Sequence, residues 1–241
     1  LPLFVFKNVM YLTLSNLKKM TGIAVKHIQV RGLRYSAASF WRELWFDLTR
    51  GIDTTFPEQL SPSAHSVHYQ GADPSLVNQL LQRLPSRAKT STFIDFGSGK
   101  GRVLLLAMEH GFAKVIGVEI SPDLSAICRR NLKRFTLKHP ASNLDVIETD
   151  AATLKLPPGP LTAFFFNPFH GPPLEQVAEN LASHADIHGA EVWLIYINPI
   201  HSNVFLERGF THLHSIEHED ATVAVLAHKQ SDHAYAQSQA R

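Results

Sequence analysis

An α/β fold, in which a mostly parallel sheet is wound on both faces with helices, is what this chain of 241 residues predicts. Three observations lead there. In Thr92 to Ala107 a short apolar β-type run meets a loop with glycines at 97, 99 and 101, and the loop opens at once into a Leu- and Ala-rich stretch of helical character. Further short apolar runs at 113–120, 144–148, 161–166 and 191–197 are separated by stretches that read as helices, the alternation expected of parallel strands. Finally, Phe164-Phe165-Phe166 places three large rings in a row, which suits a central strand buried on both faces.

Composition sets the bounds. With 44% hydrophobic residues the chain can bury a sizeable core, enough for one domain and an appendage. A formal charge of +2 creates no general electrostatic demand for nucleic acid or an anionic membrane. A single cysteine, Cys128, excludes an internal disulfide and a cysteine-rich zinc site, and fits a reducing compartment; a cytoplasmic location is the expectation. The apolar stretch 1–14 is broken by Pro2, Lys7 and Asn8 and falls short of the roughly 20 residues that cross a bilayer, so no membrane span is expected. His212, His214 and His218 have no recognised metal spacing, so they are read as solvent-facing and no metal site is expected.

Residues 1–60 mix apolar anchors with basic residues and read as an N-terminal helical extension. Phe40, Trp41, Leu44, Trp45 and Leu48 fall at helical spacing and are expected to dock that helix on the main domain. Asp73-Pro74 reads as an N-cap followed by proline at the first helical position, starting a helix that runs to Leu84. Ser121-Pro122 starts another, with Arg129, Arg130, Lys133 and Arg134 on its solvated face. At the other end, 211–217 and 221–228 form a hairpin through Glu219-Asp220, and the tail 231–241 is expected to be disordered.

The chemistry concentrates at strand ends. Glycines at 97, 99 and 101 let a small molecule lie against the backbone, while Asp95 just before them repels a pyrophosphate and attracts an ammonium group or a ribose hydroxyl. The pattern Asp95-x-Gly97-x-Gly99-x-Gly101 resembles motif I of the class I S-adenosylmethionine (SAM)-dependent methyltransferases. That resemblance implies a seven-stranded, mostly parallel, doubly wound Rossmann-like sheet with SAM as cofactor, held by Asp95, Gly97, Ser98, Gly99 and Gly101. Glu119 ends the second strand, where a carboxylate can accept bonds from both ribose hydroxyls; a dinucleotide enzyme would want the same residue. The family role implied for Asp150 is to accept from the adenine amino group, with the Ala151 backbone reading the ring edge; a helix cap or turn is the alternative at Asp150. Residues 47–54 and 69–74 resemble the lead-in of a group of bacterial methyltransferases of undefined substrate, which implies a place for Tyr69 over the cofactor.

Asn167-Pro168-Phe169 resembles the Asn/Asp-Pro-Pro-aromatic motif that amino-group methyltransferases carry at the end of strand four. It departs from that motif by having Phe169 in place of the second proline, followed by His170. The resemblance implies that Asn167, Pro168 and Phe169 position the methyl acceptor, with His170 an acid/base candidate because imidazole titrates near neutrality. A second Asn-Pro, Asn198-Pro199, ends strand five and is a weaker site candidate. The chain thus divides into an extension (1–60), a SAM-binding methyltransferase domain (61–230) and a tail (231–241). Its expected activity is transfer of the sulfonium methyl group to an unidentified nucleophile on a small molecule or protein, with nucleic acid less favoured. A protein-lysine methyltransferase and a non-catalytic SAM-binding regulatory module are the alternatives, and a nucleotide-dependent oxidoreductase is opposed by Asp95 and the glycine spacing.

Overall fold

The computed structural model describes residues 33–55, 71–137, 143–218 and 221–228. Its elements in chain order are α1 (Leu33–Arg50), α2 (Pro74–Arg83), a 3-10 turn (Ser86–Thr90), β1 (Thr92–Phe96), α3 (Arg102–Glu109), β2 (Lys114–Glu119), α4 (Pro122–Thr136), β3 (Leu144–Glu148), a 3-10 turn (Ala151–Thr153), β4 (Leu161–Phe166), α5 (Pro172–His188), β5 (Val192–Ile197), α6 (Asn203–Leu206), β6 (Phe210–His218) and β7 (Ala221–His228).

Seven strands lie in the order β3-β2-β1-β4-β5-β7-β6. β1 to β5 pair in parallel, and β7 alone runs against its neighbours on both sides. The order reverses between β1 and β4, so the crevice beyond their carboxyl ends is where an open α/β sheet takes its ligand. Each strand splits its side chains between two cores. Phe93, Phe164, Trp193 and Ile195 pack with α2, α3 and α4 on one face, while Ile94, Phe96, Phe165 and Tyr196 pack with α5 and α6 on the other.

Local chemistry fixes the helix starts. Asp73 caps α2, its carboxylate accepting from the Ser75 and Leu76 amides with Pro74 at the first position. Burial opposes its charge, but a hydrogen bond from Arg42 and those amides hold its carboxyl below the ordinary range. Ser121 caps α4 in the same way, and all four basic residues expected on its outer face are exposed.

The docked face of α1 differs from expectation. Trp41 and Trp45 are 64% and 59% exposed, whereas Leu44, Phe46 and Asp47 are buried. Three ion pairs explain the rotation: Arg42 to Asp73 at 2.8 Å, Arg50 to Glu109 at 2.8 Å and Glu43 to Arg102 at 2.9 Å tie α1 to α2 and α3 along the side that carries Phe46. A second correction concerns β6, where a register shift between His212 and His214 breaks the alternation. His212 stays exposed, while His214 is half-buried and burial lowers its pKa.

Candidate functional site

β1 ends at Asp95 and Phe96, and the glycine loop folds directly over the neighbouring strand. The amides of Gly97 and Ser98 both donate to the Val118 carbonyl, and that of Gly101 donates to Ser98. Gly97, Gly99 and Gly101 all have positive φ, at 78°, 53° and 87°. Two of them are also fixed by space. A Cβ on Gly97 would lie 2.3 Å from Pro168 Cβ, and one on Gly101 would lie 2.5 Å from Cys128 Sγ. The Gly97 contact presses the loop against the end of β4, so the two motifs that the sequence separates by some seventy residues touch. Ser98 is buried, and its Oγ lies over Gly117 on β2 without a hydrogen-bond partner among the described residues.

Asp95 and Glu119 stand at the ends of adjacent strands and are both buried. Burial, and behind it the Glu119 charge, push the Asp95 carboxyl well above its ordinary range. Glu119 is raised by burial and held down by backbone amides: Oε2 accepts from Gly99 at 2.8 Å and Oε1 from Ser121 at 2.9 Å. It therefore braces the glycine loop as well as facing the crevice, and each oxygen keeps a second lone pair for a ribose hydroxyl. Asp150 caps the turn at 151–153, its Oδ1 accepting from the Ala152 amide at 2.9 Å, and Ala151 is buried beside it. The cap alternative thus holds for one oxygen of an exposed carboxylate. Tyr69 lies outside the described residues.

At the end of β4, Asn167 adopts φ 42°. Its Oδ1 is buried without a hydrogen-bond partner among the described residues. Phe169 sets its ring edge-on to Phe165 at 6.4 Å, and His170 is exposed. Asn198 repeats the backbone turn at the end of β5 with φ 51°.

Sequence reasoning missed the group behind the loop. Arg102, in the first turn of α3, is 2% exposed and spreads its guanidinium over four acceptors: Thr54 Oγ1 at 2.8 Å, Glu43 Oε2 at 2.9 Å, the Ala72 carbonyl at 2.8 Å and Thr55 Oγ1 at 3.2 Å. Asp47 sits beneath, accepting from the Thr54 amide and hydroxyl and from the Thr55 amide. Lys100 is wholly buried and pairs with Asp53 at 3.2 Å, while the Asn131 amide holds the carbonyls of both. The segment 47–54 was legible as a lead-in, but nothing in a lone arginine after a glycine loop announces a buried hub.

The donor set suits one kind of ligand. Asp95, Glu119 and Asp150 put three carboxylates at neighbouring strand ends, and the two cations that follow in the glycine loop and α3, Lys100 and Arg102, are engaged by Asp53 and Glu43. Such an edge favours a nucleoside carrying positive charge, as SAM does, over one carrying a pyrophosphate.

Residues 93–189 match the family described as "Methyltransferase domain". Ribosomal protein L11 methyltransferases of Enterobacter sp. (strain 638) and Salmonella arizonae are 33% and 34% identical over 93 residues, which is 36% of this chain. The chain spans 31% of the length of those relatives. Among solved structures, a candidate RNA methyltransferase from Pyrococcus horikoshii superposes with a TM-score of 0.50 at 16% identity, covering 77% of this chain and 94% of that one. Magnesium protoporphyrin IX methyltransferase from Synechocystis PCC 6803, solved with SAM, gives 0.50 at 13% identity over 65% of this chain and 79% of its own. Over residues 93–189 the chain is thus similar to the methyltransferase-domain family, and its seven strands lie in the order given above with the glycine loop at the switch point.

Proposed function

We propose that this domain binds SAM beyond the ends of β1, β2 and β3 and methylates a nucleophile held at the end of β4. The observation that carries this reading is the contact between Gly97 and Pro168, which sets the cofactor loop directly against Asn167 and its unpartnered Oδ1. When bound, the cofactor supplies an already activated sulfonium methyl, so the protein's part is positioning and proton handling. Asp95 faces the amino-acid end, Glu119 accepts from the ribose while its amide bonds hold Gly99 in place, and Asp150 with the Ala151 backbone borders the adenine. Asn167 orients the acceptor's nucleophilic atom through its side-chain amide. Pro168 holds the spacing to the loop, Phe169 walls the acceptor, and His170 takes up a proton. The N-terminal segment, α1 included, serves as the wall behind the loop through Arg102.

The curated relatives act on ribosomal protein L11, and the similarity to them makes a protein acceptor the second reading. The first test is thermal. S-adenosylhomocysteine at a hundredfold excess over its dissociation constant should stabilise the fold by about 2.7 kcal/mol. NAD at the same concentration should not. In Asn167→Ala the affinity for S-adenosylhomocysteine should stay within a few fold while methyl transfer falls on the order of a hundredfold. A shift with NAD alone would overturn the reading, and an equal loss in affinity, stability and transfer would make Asn167 a structural residue.

A further inference from the structure

The ends of β4 and β5 are the same device built twice. Asn167-Pro168-Phe169-His170 and Asn198-Pro199-Ile200-His201 share the pattern Asn-Pro-apolar-His, and they follow strands that pair in parallel with Phe166 level with Ile197. Both asparagines turn the chain through the left-handed region, at φ 42° and 51°, the only non-glycine residues to do so among those described. Three residues after each turn, the imidazoles of His170 and His201 arrive side by side, with ring centroids 6.3 Å apart and planes at 45°. An Asn-Pro turn needed only to end a strand places no demand on the third residue after the asparagine. Two such turns on neighbouring strands that each present a histidine to the same spot do.

The surroundings are those of a binding subsite. In the strands that lead to the two turns, Phe165 packs against Phe169 at 6.4 Å and against Tyr196 at 5.8 Å. The Tyr196 hydroxyl is buried, has the His201 backbone amide as a neighbour and makes no hydrogen bond of good geometry among the described residues; burial pushes its pKa up to about 12.

We infer that His201 joins His170 in one acceptor subsite, and that the acceptor is a small molecule carrying an acidic oxygen, a carboxylic acid or a phenol. The inference rests on the methyltransferase reading and adds the class of acceptor to it. An ammonium acceptor presents N–H donors and wants several oxygens around it, whereas the ends of β4 and β5 bring two imidazoles side by side. Each imidazole gives an N–H to a lone pair, and a neutral one also takes a proton, which is what an acidic oxygen needs from both sides. In the transfer the oxygen lone pair forms the new O–C bond as the sulfonium C–S bond breaks, and that bond's electron pair stays on sulfur. A phenol's proton passes to a ring nitrogen of the pair, while a carboxylate has none to lose.

The test uses the full chain and probes of matched skeleton: benzoic acid and a hydroxylated phenyl compound beside the corresponding benzylamine and aniline. Release of S-adenosylhomocysteine is measured with each, and binding is followed by the ring-proton NMR signals of His170 and His201, assigned by their loss in His170→Gln and His201→Gln. The oxygen acids should shift both signals and drive release. His201→Gln should lower kcat/KM at least tenfold, with affinity for S-adenosylhomocysteine unchanged and the double variant falling no further than the worse single one. Methylation of the amines, release indifferent to His201, or no release with the oxygen acids while S-adenosylhomocysteine still binds would each overturn the inference. Failure of S-adenosylhomocysteine itself to bind would instead overturn the reading beneath it.

Discussion

Asp95 is where function and stability pull against each other. Its carboxyl is raised by burial and by Glu119, so the folded protein keeps a proton that the unfolded chain releases near pH of about 4. The stability linked to that proton is fully present below the unfolded value and is lost as pH rises through the raised one. At neutral pH Asp95→Asn should therefore raise stability by about 1 kcal/mol, which is roughly 2–4 °C in Tm for a chain of this size. In the proposed site the same change removes a carboxylate that faces the cofactor's amino-acid end, so affinity for S-adenosylhomocysteine should fall tenfold or more. Paired calorimetry and thermal melts check both signs, and a lower Tm with full affinity would place Asp95 in the core alone. Asp95 and Asn167 stood out in the sequence because an acid or an amide at a strand end has no packing reason to be there. Arg102 did not, because its partners come from 30 to 59 positions away.

At the scale of elements, Arg102 makes α1 part of the sheet domain. One guanidinium collects α1 through Glu43, the segment after it through Thr54 and Thr55, and the approach to α2 through Ala72. Lysine would keep the charge and lose the fork. Because the site is buried, Arg102→Lys should cost about 3 kcal/mol, a fall of roughly 6–12 °C in Tm, with the far-UV spectrum of the folded protein preserved. A loss under about 1 kcal/mol would show that the hub is dispensable. The strands, their order and the helix caps were readable from apolar runs and from Asp73-Pro74 and Ser121-Pro122. The face of α1 was not, since Trp41 and Trp45 keep helical spacing yet the ion pairs of Arg42, Glu43 and Arg50 decide which side docks. Nor was the β6 bulge, because a single extra residue leaves no mark on so short an alternation.

For the molecule as a whole, two cores on one sheet leave the carboxyl ends of β1, β2, β4 and β5 as a single edge, with the residues proposed for the cofactor on one side of the switch point and those proposed for the acceptor on the other. Cys128 lies beneath that edge against Gly101, and it is the chain's one cysteine. Burial, then the charges of Asp95 and Glu119, push its thiol far above the ordinary range, so the folded protein offers no thiolate to alkylating reagents. Maleimide should leave the native chain unmodified and react once with the unfolded one, as mass spectrometry would show. The protein is thus a ready-made background for site-directed labelling: a cysteine introduced at the exposed Trp41 would carry the sole dye or spin label in the native molecule and report the docking of α1 as S-adenosylhomocysteine is added.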